Sequence, residues 1–159
     1  KADKMELIIQ KAVELGVYQV IPVAMKRCVV KLDDKKAASK LTRWQGIAEA
    51  AAKQSKRGII PQITKVMTFA QALEYSSTAQ VRLVPYELAE GMDRTREIIE
   101  QIQPGQDIAV FIGPEGGFDE AEIGKVIEAG TQPITLGKRI LRTETAGMTV
   151  LSILMYHLE

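Results

Sequence analysis

Two hydrophobic periods alternate along the chain. Apolar residues from Met5 to Leu15 recur every three to four positions, which predicts an amphipathic helix that stops at Gly16. Short apolar runs rich in β-branched residues, such as Val81 to Pro85, predict buried strands. These patterns predict helices at residues 5–15, 35–53, 68–75, 95–102, 119–129 and 145–158, and strands at residues 19–23, 63–66, 81–85, 108–112 and 134–136.

Cap and turn residues support several of these boundaries. Thr68 is a typical helix N-cap, and Asp119 followed by Glu122 has the spacing of a capping box. The pair Pro104-Gly105 marks a turn into a strand. Because helices and strands alternate, we expect an α/β fold, a parallel sheet flanked by helices, in one domain over residues 1–159.

Composition restricts the classes of protein that fit. The chain has 159 residues, of which 46% are hydrophobic and 26% charged, and this balance suits a globular domain with a core. It contains no apolar run of the roughly 18 to 20 residues that cross a bilayer, and no apolar signal region follows Lys1-Ala2-Asp3-Lys4. We therefore expect a cytoplasmic protein without a membrane segment.

The chain has one cysteine, Cys28, and one histidine, His157. An internal disulfide needs two cysteines and is excluded, as is a cysteine-rich metal site. We interpret Cys28 as a buried, reduced thiol and His157 as a surface or dimer-contact residue. No metal cofactor is predicted.

Charge is divided unevenly between two parts of the chain. Residues 1–65 carry 14 Lys and Arg against 6 Asp and Glu, whereas residues 66–159 carry 7 against 14, although the net charge is only +1. The basic residues could bind the phosphate backbone of a nucleic acid or could be a solvated helix face. We favour RNA contact for Arg27, Arg43 and Arg57, because guanidinium groups match phosphate oxygens and stack on bases.

Two segments that contain glycine lie at the ends of the last two predicted strands. Phe111 to Gly117 reads FIGPEGG, Gly137 to Ala146 reads GKRILRTETA, and Tyr86-Glu87 follows an earlier strand. Because parallel strands end at one edge, the three segments could converge on a bent ligand held mainly by backbone groups. The glycines alone are equally compatible with tight turns. A dinucleotide-binding GxGxxG motif would instead follow the first strand.

The pair GPEGG and LGKRILRTETA, together with three earlier segments, resembles the RsmE family. The earlier segments are Glu14-Leu15-Gly16-Val17, Arg43-Trp44 and Gln54-Ser55-Lys56-Arg57. RsmE proteins are ribosomal RNA methyltransferases of the SPOUT superfamily, and they modify N3 of a uridine in the small-subunit (16S) RNA. The resemblance covers nearly the whole chain, and the two C-terminal motifs are specific as a pair.

The resemblance implies a cofactor, a chain topology and a set of contacts. SPOUT enzymes bind S-adenosylmethionine in a bent conformation within a C-terminal trefoil knot, which no sequence rule would predict. Carried onto this sequence, the residues expected to contact S-adenosylmethionine are Pro85, Tyr86, Glu87, Ile112, Gly113, Gly116, Leu136, Gly137, Ile140, Leu141 and Arg142.

Methylation at N3 of uracil also requires removal of the N3 proton. The candidate general base is Glu144, and the candidate cation that stabilises the anion is Arg142, since both lie where the second glycine segment becomes the last helix. Each has a structural alternative. The two could form an Arg–Glu ion pair, or they could be charges near a helix N-terminus that Thr143 or Thr145 caps.

The expected substrate is a structured RNA with an accessible loop, because N3 lies on the Watson–Crick edge and must be unpaired. Trp44 could stack on a base, but a single Trp on an amphipathic helix is more often part of a core. Glu115 could contact the substrate or only orient its loop. The residues expected to contact RNA are Arg27, Arg43, Gln54, Arg57, Glu115 and Arg139.

The chain departs from the RsmE pattern in two places. RsmE proteins begin with a small PUA-like β-barrel that is thought to bind RNA, and the opening Lys1-Ala2-Asp3-Lys4-Met5 predicts that this domain is absent from the chain. Cys28 stands where the family leads us to expect a small hydroxyl residue, so no RNA contact is assigned to it.

The last predicted helix has apolar residues on more than one side, including Met148, Leu151 and Met155. The terminal helix of a monomer needs only one buried stripe. We therefore expect a symmetric homodimer with residues 145–158 at its centre, an arrangement that SPOUT enzymes commonly have.

Two alternatives to uracil-N3 methylation stay open. One is another SPOUT methyltransferase, acting on a ribose hydroxyl or on guanine. The other is a non-catalytic module that binds RNA or a nucleotide. Binding of S-adenosylmethionine separates the second alternative from the enzymes, and mapping of the methylated atom separates the first.

Overall fold

The computed structural model describes residues 2–27, 33–89 and 91–159, so the interpretation of Cys28 lies outside the described residues. No helix in these ranges is both long and apolar enough to span a membrane. The helices are α1 (Ala2–Glu14), α2 (Asp34–Gln54), α3 (Phe69–Tyr75), α4 (Met92–Glu100), α5 (Glu120–Glu128) and α6 (Thr143–Leu158), with a 3-10 helix at Ser76–Thr78. The strands are β1 (Gln19–Val20), β2 (Val23–Ala24), β3 (Gln62–Ile63), β4 (Met67–Thr68), β5 (Val81–Pro85), β6 (Ile108–Val110) and β7 (Gln132–Ile134).

Three parallel strands form the sheet of the C-terminal part of the chain. Strand β5 lies in the middle, with β6 on one side and β7 on the other. Val81 aligns with Ile108, and Pro85 aligns with Ile134, so the three strands run in one direction. The predicted α/β fold with parallel strands flanked by helices is confirmed.

The N-terminal part contains two short parallel ladders, in which β1 pairs with β3 and β2 pairs with β4. The predicted strand 19–23 is wrong in its middle, because Pro22 has no N–H to donate and the ladder is interrupted there. The Thr64 N–H donates to the Val20 carbonyl (3.0 Å), and the Met67 N–H donates to the Pro22 carbonyl (2.9 Å). These bonds hold the two segments together across the break.

Several other predicted boundaries are displaced. The predicted strand 63–66 overlaps a strand only at Ile63, because β3 ends there and β4 begins at Met67. The predicted strand 134–136 lies two residues earlier, at β7. Helix α4 begins after Gly91, which has φ 84°, so that Thr95 lies inside the helix. Helix α6 begins two residues before its predicted start.

Both predicted cap residues are confirmed. The Thr68 hydroxyl accepts from the Gln71 N–H (3.2 Å), and the Gln71 side-chain oxygen accepts from the Thr68 N–H (2.9 Å), which completes a capping box at α3. Asp119 and Glu122 form the second capping box, at α5. A capping box joins residues three positions apart, so local sequence is sufficient to predict it.

Helices cover both faces of the three-stranded sheet. Leu83 on β5 is fully buried in a core with Ile98 of α4 and Val150 of α6. The next residue, Val84, faces the opposite side and packs with Val126 of α5. Burial of each such side chain contributes roughly 1.5–3 kcal/mol. The central strand β5 is therefore held between two packed layers of helices.

A further core joins α1 to α2, and α1 also packs against α6. Trp44 is only 5% exposed within it, so its ring is not available to stack on a base. The interpretation of Trp44 as a core residue is confirmed. Its buried neighbours are Ile9, Val13, Ala48, Ala51, Ala52 and Ile63.

Candidate functional site

The segments that follow β5, β6 and β7 start side by side at one edge of the sheet. Beyond β5, the Tyr86 N–H donates to the Ile134 carbonyl of β7 (3.0 Å). Beyond β6, the Phe111 N–H donates to the Leu83 carbonyl of β5 (2.9 Å). Parallel strand order thus brings together the three segments in which the sequence predicts cofactor contacts.

The first glycine segment, residues 113–117, forms a tight turn, which we call the glycine loop. Gly117 has φ 72°, and its N–H donates to the Pro114 carbonyl (2.8 Å), which closes the turn. A Cβ atom at Gly113 would lie 3.1 Å from ring atoms of Phe118, which is closer than side chains normally approach. Packing of the Phe118 ring therefore accounts for a glycine at position 113, where the sequence alone left a tight turn and the approach of a ligand equally open.

The second glycine segment, residues 137–142, we call the second loop. Gly137 has φ 119°, and no described atom lies within 4 Å of a Cβ atom added there. The Thr135 hydroxyl donates to the Gly137 carbonyl and accepts from the Gly137 N–H, both at 3.3 Å. The Thr95 hydroxyl in turn binds the Thr135 N–H (3.0 Å) and carbonyl (3.1 Å). The second loop is anchored at its first residue and has open space beside it.

Part of the second loop and the residue before it present groups that could hold a ligand. The backbone groups of Leu136, Ile140 and Leu141 make no hydrogen bond to other described residues. The Ile140 side chain is 83% exposed. A ligand with polar and apolar parts would give partners to these backbone groups and cover the isoleucine.

The candidate catalytic residues Arg142 and Glu144 do not form an ion pair in the described part of the chain. Arg142 is the N-cap residue of α6, and its exposed side chain makes no capping bond. The Glu144 side chain is 17% exposed, and its Oε2 atom is buried without a hydrogen-bond partner among the described residues. An unpaired buried carboxylate oxygen is costly and requires an explanation, such as a ligand that completes the site. The structural alternative in which Arg142 and Glu144 form an ion pair is therefore wrong.

Thr143 and Thr145 do not cap α6, because the helix already begins at Thr143. The Thr143 hydroxyl instead donates to the Gly113 carbonyl (3.1 Å), which links the glycine loop to the helix. Glu144 lies in the first turn of α6, so the alternative of a charge near the helix N-terminus stays open.

Lys4 of α1 lies between the two acidic residues of the site. Its Nζ atom is 2.6 Å from Glu115 Oε1 in the glycine loop and 3.8 Å from Glu144 Oε2. Of the two possible roles of Glu115, the salt bridge favours orientation of the loop.

Basic residues that precede α2 lie against the glycine loop. Arg27 Nη1 donates to the Gly116 carbonyl (3.0 Å), and the Lys26 N–H donates to Glu122 Oε1 (3.2 Å). Glu122 is buried, and its other oxygen accepts from the Asp119 N–H (2.9 Å). One buried carboxylate therefore ties the basic segment to the start of α5. Two predicted site residues, Arg27 and Gly116, are in direct contact.

Two predicted RNA-binding arginines have partners within the chain. Arg43 of α2 binds Glu6 of α1 through Nε and Nη2, and this hydrogen bonding holds the pKa of Glu6 below its usual value. Arg57 Nη1 donates to the carbonyls of Val17 (2.7 Å) and Val13 (3.2 Å), at the C-terminal end of α1. Arg43 stays largely exposed, whereas Arg57 is half-buried.

The predicted RNA contacts therefore occupy two regions. Gln54 is exposed at the end of α2 and lines a groove between α1 and α2. Arg139 is exposed in the second loop. The structure places Arg27, Glu115 and Arg139 beside the predicted cofactor residues, and Arg43, Gln54 and Arg57 on the α1–α2 part of the molecule.

Three residues that organise the site carry no sequence signal that would identify them. Lys4 occupies a polar position of an amphipathic helix, as Lys11 does. Thr95 looks like a helix start, and Thr143 looks like a cap. Each makes its important contact with a residue far away in the chain, so periodicity and capping rules could not find them.

Comparison with known proteins identifies the family. The RNA methyltransferase domain family matches residues 1–155. The ribosomal RNA small subunit methyltransferase E of Bacillus subtilis (strain 168) is 41% identical over 162 residues, which cover 100% of this chain and 63% of that protein. The protein of the same name from Mesomycoplasma hyopneumoniae (strain 232) is 39% identical over 152 residues, which cover 96% of this chain and 64% of that protein.

Solved structures are similar over nearly the whole chain. A ribosomal RNA small subunit methyltransferase E from Neisseria gonorrhoeae bound to S-adenosyl methionine matches with a TM-score of 0.82 at 35% identity, covering 98% of this chain and 62% of that one. A Legionella pneumophila protein in complex with the cofactor SAM matches with a TM-score of 0.89 at 36% identity, over the same shares. The chain thus spans less than two thirds of the length of these relatives. It belongs to the RNA methyltransferase domain family, and its resemblance to the RsmE proteins is confirmed.

Proposed function

We propose that the chain is the methyltransferase domain of an enzyme that uses S-adenosylmethionine to methylate N3 of a uridine in small-subunit (16S) ribosomal RNA. One observation carries the proposal: the buried Oε2 atom of Glu144, which has no hydrogen-bond partner among the described residues, lies where the two glycine segments meet α6. The family match supports RNA methylation, and relatives at 41% and 39% identity carry the name of a small-subunit RNA methyltransferase. Because bacterial ribosomal RNA is cytoplasmic, we place the protein there.

The residues at the sheet edge fit S-adenosylmethionine. Unpaired backbone groups of Leu136, Ile140 and Leu141 can bind its adenine and ribose, and Gly137 leaves space for close approach. Two similar solved structures hold this cofactor. The residues that would hold it here are Pro85, Tyr86, Glu87, Ile112, Gly113, Gly116, Leu136, Gly137, Ile140, Leu141 and Arg142.

The protein's own residues must align the uridine and remove its N3 proton. When bound, S-adenosylmethionine supplies a methyl group that its sulfonium has already activated. Glu144 would accept the N3 proton at Oε2, whose lone pairs are not engaged by another described group. The exposed Arg142 guanidinium, two residues earlier, would stabilise negative charge on the uracil oxygens.

The RNA would reach this edge across the basic residues beside the glycine loop. Arg27 binds the Gly116 carbonyl through Nη1 and is exposed, and Arg139 is exposed in the second loop. Arg43 and Gln54 would extend the contact along α2, which suits a structured RNA that presents one unpaired uridine. Arg57 would stabilise this surface indirectly, because its guanidinium group already binds carbonyls at the end of α1.

We also propose that the C-terminal part of the chain forms the trefoil knot of the SPOUT superfamily. The strand order β6-β5-β7 and the return of α6 to the end of β6 support this topology. At that end, a Cβ atom on Gly147 would lie 3.9 Å from Ile112 Cγ1. A crystal structure that traces the chain through residues 81–146 without a threaded loop would refute the knot.

A symmetric homodimer is the proposed assembly. Helix α6 has a groove lined by Met148, Thr149, Ser152, Ile153 and Tyr156, and the Tyr156 side chain is 90% exposed. In a dimer with two-fold symmetry, the α6 groove of each subunit would be covered by the same surface of the other subunit. His157 is half-buried, with Nε2 2.9 Å from the Ile102 carbonyl, so it supports the helix from inside.

Methyl transfer to small-subunit ribosomal RNA tests the proposed function. After reaction, nuclease digestion and mass spectrometry should locate one new methyl group, at N3 of one uridine. A methyl group on a ribose hydroxyl or on guanine would establish the other SPOUT chemistry. If calorimetry detects no binding of S-adenosylmethionine, the chain is a non-catalytic binding module.

A further inference from the structure

Lys4 joins three parts of the site that are far apart in the chain. Its Nζ atom, on α1, contacts Glu115 of the glycine loop at 2.6 Å and lies 3.8 Å from Glu144 of α6. The two carboxylates carry the same charge and would repel each other without a cation between them. Lys4 is therefore the electrostatic link between the glycine loop and the start of α6.

The two distances have different meanings. At 2.6 Å the ammonium group forms a close ion pair with Glu115, whereas at 3.8 Å it attracts Glu144 from beyond hydrogen-bond distance. Glu144 Oε2 accordingly has no hydrogen-bond partner among the described residues. Lys4 thus restrains the Glu144 carboxylate through charge and leaves this oxygen able to accept a proton.

The scaffold around Lys4 is rigid enough for such a role. Helix α1 is held by the fully buried side chain of Ile9 and by the pairing of Glu6 with Arg43, and it packs against α6. The side chains of Lys4 and Glu144 are partly buried, so solvent screens their attraction less than it would at an exposed surface. A functional group positions a neighbour well only when its own support is fixed.

We propose that Lys4 is a positioning residue for Glu144, and this inference rests on the proposed function. Lys4 holds the carboxylate in the orientation in which Oε2 faces N3 of the uridine. In the proton transfer the N3–H bond breaks and an Oε2–H bond forms, while Lys4 keeps all its protons. Because the carboxyl group of Glu144 is then neutral, the ion pair with Glu115 keeps the Lys4 charge paired.

The test compares three variants of the full-length protein. Lys4→Met removes the charge at similar length, Lys4→Arg restores a cation, and Lys11→Met is the matched control, because Lys11 lies on the same helix and pairs with Glu14 (3.0 Å). We expect Lys4→Met to lower kcat for methyl transfer by about tenfold or more. KM for RNA, cofactor affinity and Tm should stay close to wild type. Lys4→Arg should recover most of kcat, and Lys11→Met should leave it unchanged.

A double-mutant cycle identifies the residue through which Lys4 acts. In a Glu144→Gln background, Lys4→Met should cause little further loss of kcat, because the group that it positions is already disabled. An equal fold-loss in both backgrounds would overturn the inference, and so would a rise in KM with kcat unchanged. If Lys4→Met lowers Tm, Lys4→Arg decides, because it keeps a cation on α1: a kcat as low as that of Lys4→Met would overturn the inference.

The outcomes also separate this inference from the proposed function. If the wild-type protein transfers no methyl group to small-subunit RNA, the proposed function fails. If the wild-type protein is active and Lys4→Met is equally active, only the role of Lys4 fails.

Discussion

Arg43 and Glu6 bind each other through two nitrogen–oxygen contacts, and they thereby join the exposed sides of α2 and α1. The apolar sides of the same helices enclose Trp44. Two residues before Glu6, the same helix carries Lys4. The pair therefore helps to hold the helix that reaches into the candidate site.

The stability of the Arg43–Glu6 pair should depend on pH. Its hydrogen bond lowers the pKa of Glu6 in the folded state, so the unfolded state takes up a proton at a higher pH than the folded state does. The stabilisation is present above the unfolded-state pKa and is lost as pH falls through the folded-state pKa. Arg43→Met should therefore have a lower urea midpoint than wild type near neutral pH, and the difference should close in acid.

The control for this experiment is Arg96→Met. Arg96 pairs with Asp93 on the exposed side of α4 (2.7 Å), and exposed pairs of this kind contribute little to stability. A difference between Arg43→Met and wild type that stayed constant from neutral to acidic pH would contradict the assigned role of the pair.

Gly137→Val should weaken the binding of S-adenosylmethionine by tenfold or more. A branched side chain is strained at φ 119°, by roughly 1–3 kcal/mol, and it would occupy the space beside the second loop. The matched control is Gly105→Val, which also has a positive φ, of 89°, but lies in the turn before β6 at the opposite edge of the sheet. Calorimetry should find weaker binding for Gly137→Val alone, and equal affinity in both variants would remove the second loop from the site.

Glu144→Ala should lower methyl transfer by about a hundredfold or more, the range typical of a lost general base. Arg142→Ala should also reduce the rate, since it removes a charge that acts on the developing anion. Affinity for S-adenosylmethionine should stay largely intact in both. Glu128→Ala, an exposed carboxylate at the end of α5, is the control and should react at the wild-type rate. Full activity of both site variants would assign the pair a structural role.

The protein should sediment as a dimer at micromolar concentration, above the 17.5 kDa of one chain. Tyr156→Glu should dissociate it, because the tyrosine lies in the α6 groove with its side chain almost fully exposed. Tyr18→Glu is the control, since Tyr18 is also exposed (77%) but lies outside that helix. A dimer that survives Tyr156→Glu would locate the interface elsewhere.

Local rules predicted the parts of the fold that depend on neighbours in sequence. The N-cap at Thr68, the capping box at Asp119 and the strand β5 are correct, because cap residues, three-residue spacings and short apolar runs determine them. The strand predicted at 19–23 failed at Pro22, where a missing N–H outweighed an apolar pattern. The signal for that break is present in the sequence, because proline cannot donate to a strand ladder.

The candidate site was only partly predictable. The glycine segments and the start of α6 were found because motifs concentrate there, and the parallel strands bring them together. The prediction of RNA contact for Arg57 rests on the match between a guanidinium group and phosphate oxygens. Its hydrogen-bond partners are the carbonyls of Val13 and Val17, which lie 40 or more positions earlier in the chain. Lys4 was missed for the same reason, since its partners lie more than a hundred positions later in the chain.

The packing of α1 against α6 also determines when the site can form during synthesis. Helix α1 leaves the ribosome before α6, the helix that carries Glu144. Contacts between such distant segments are slow to form, because a long loop must close before they stabilise anything. A nascent chain that ends before residue 143 lacks Glu144, so Lys4 has no carboxylate on α6 to contact. The contact between Lys4 and Glu144 can therefore form only after α6 has been synthesised.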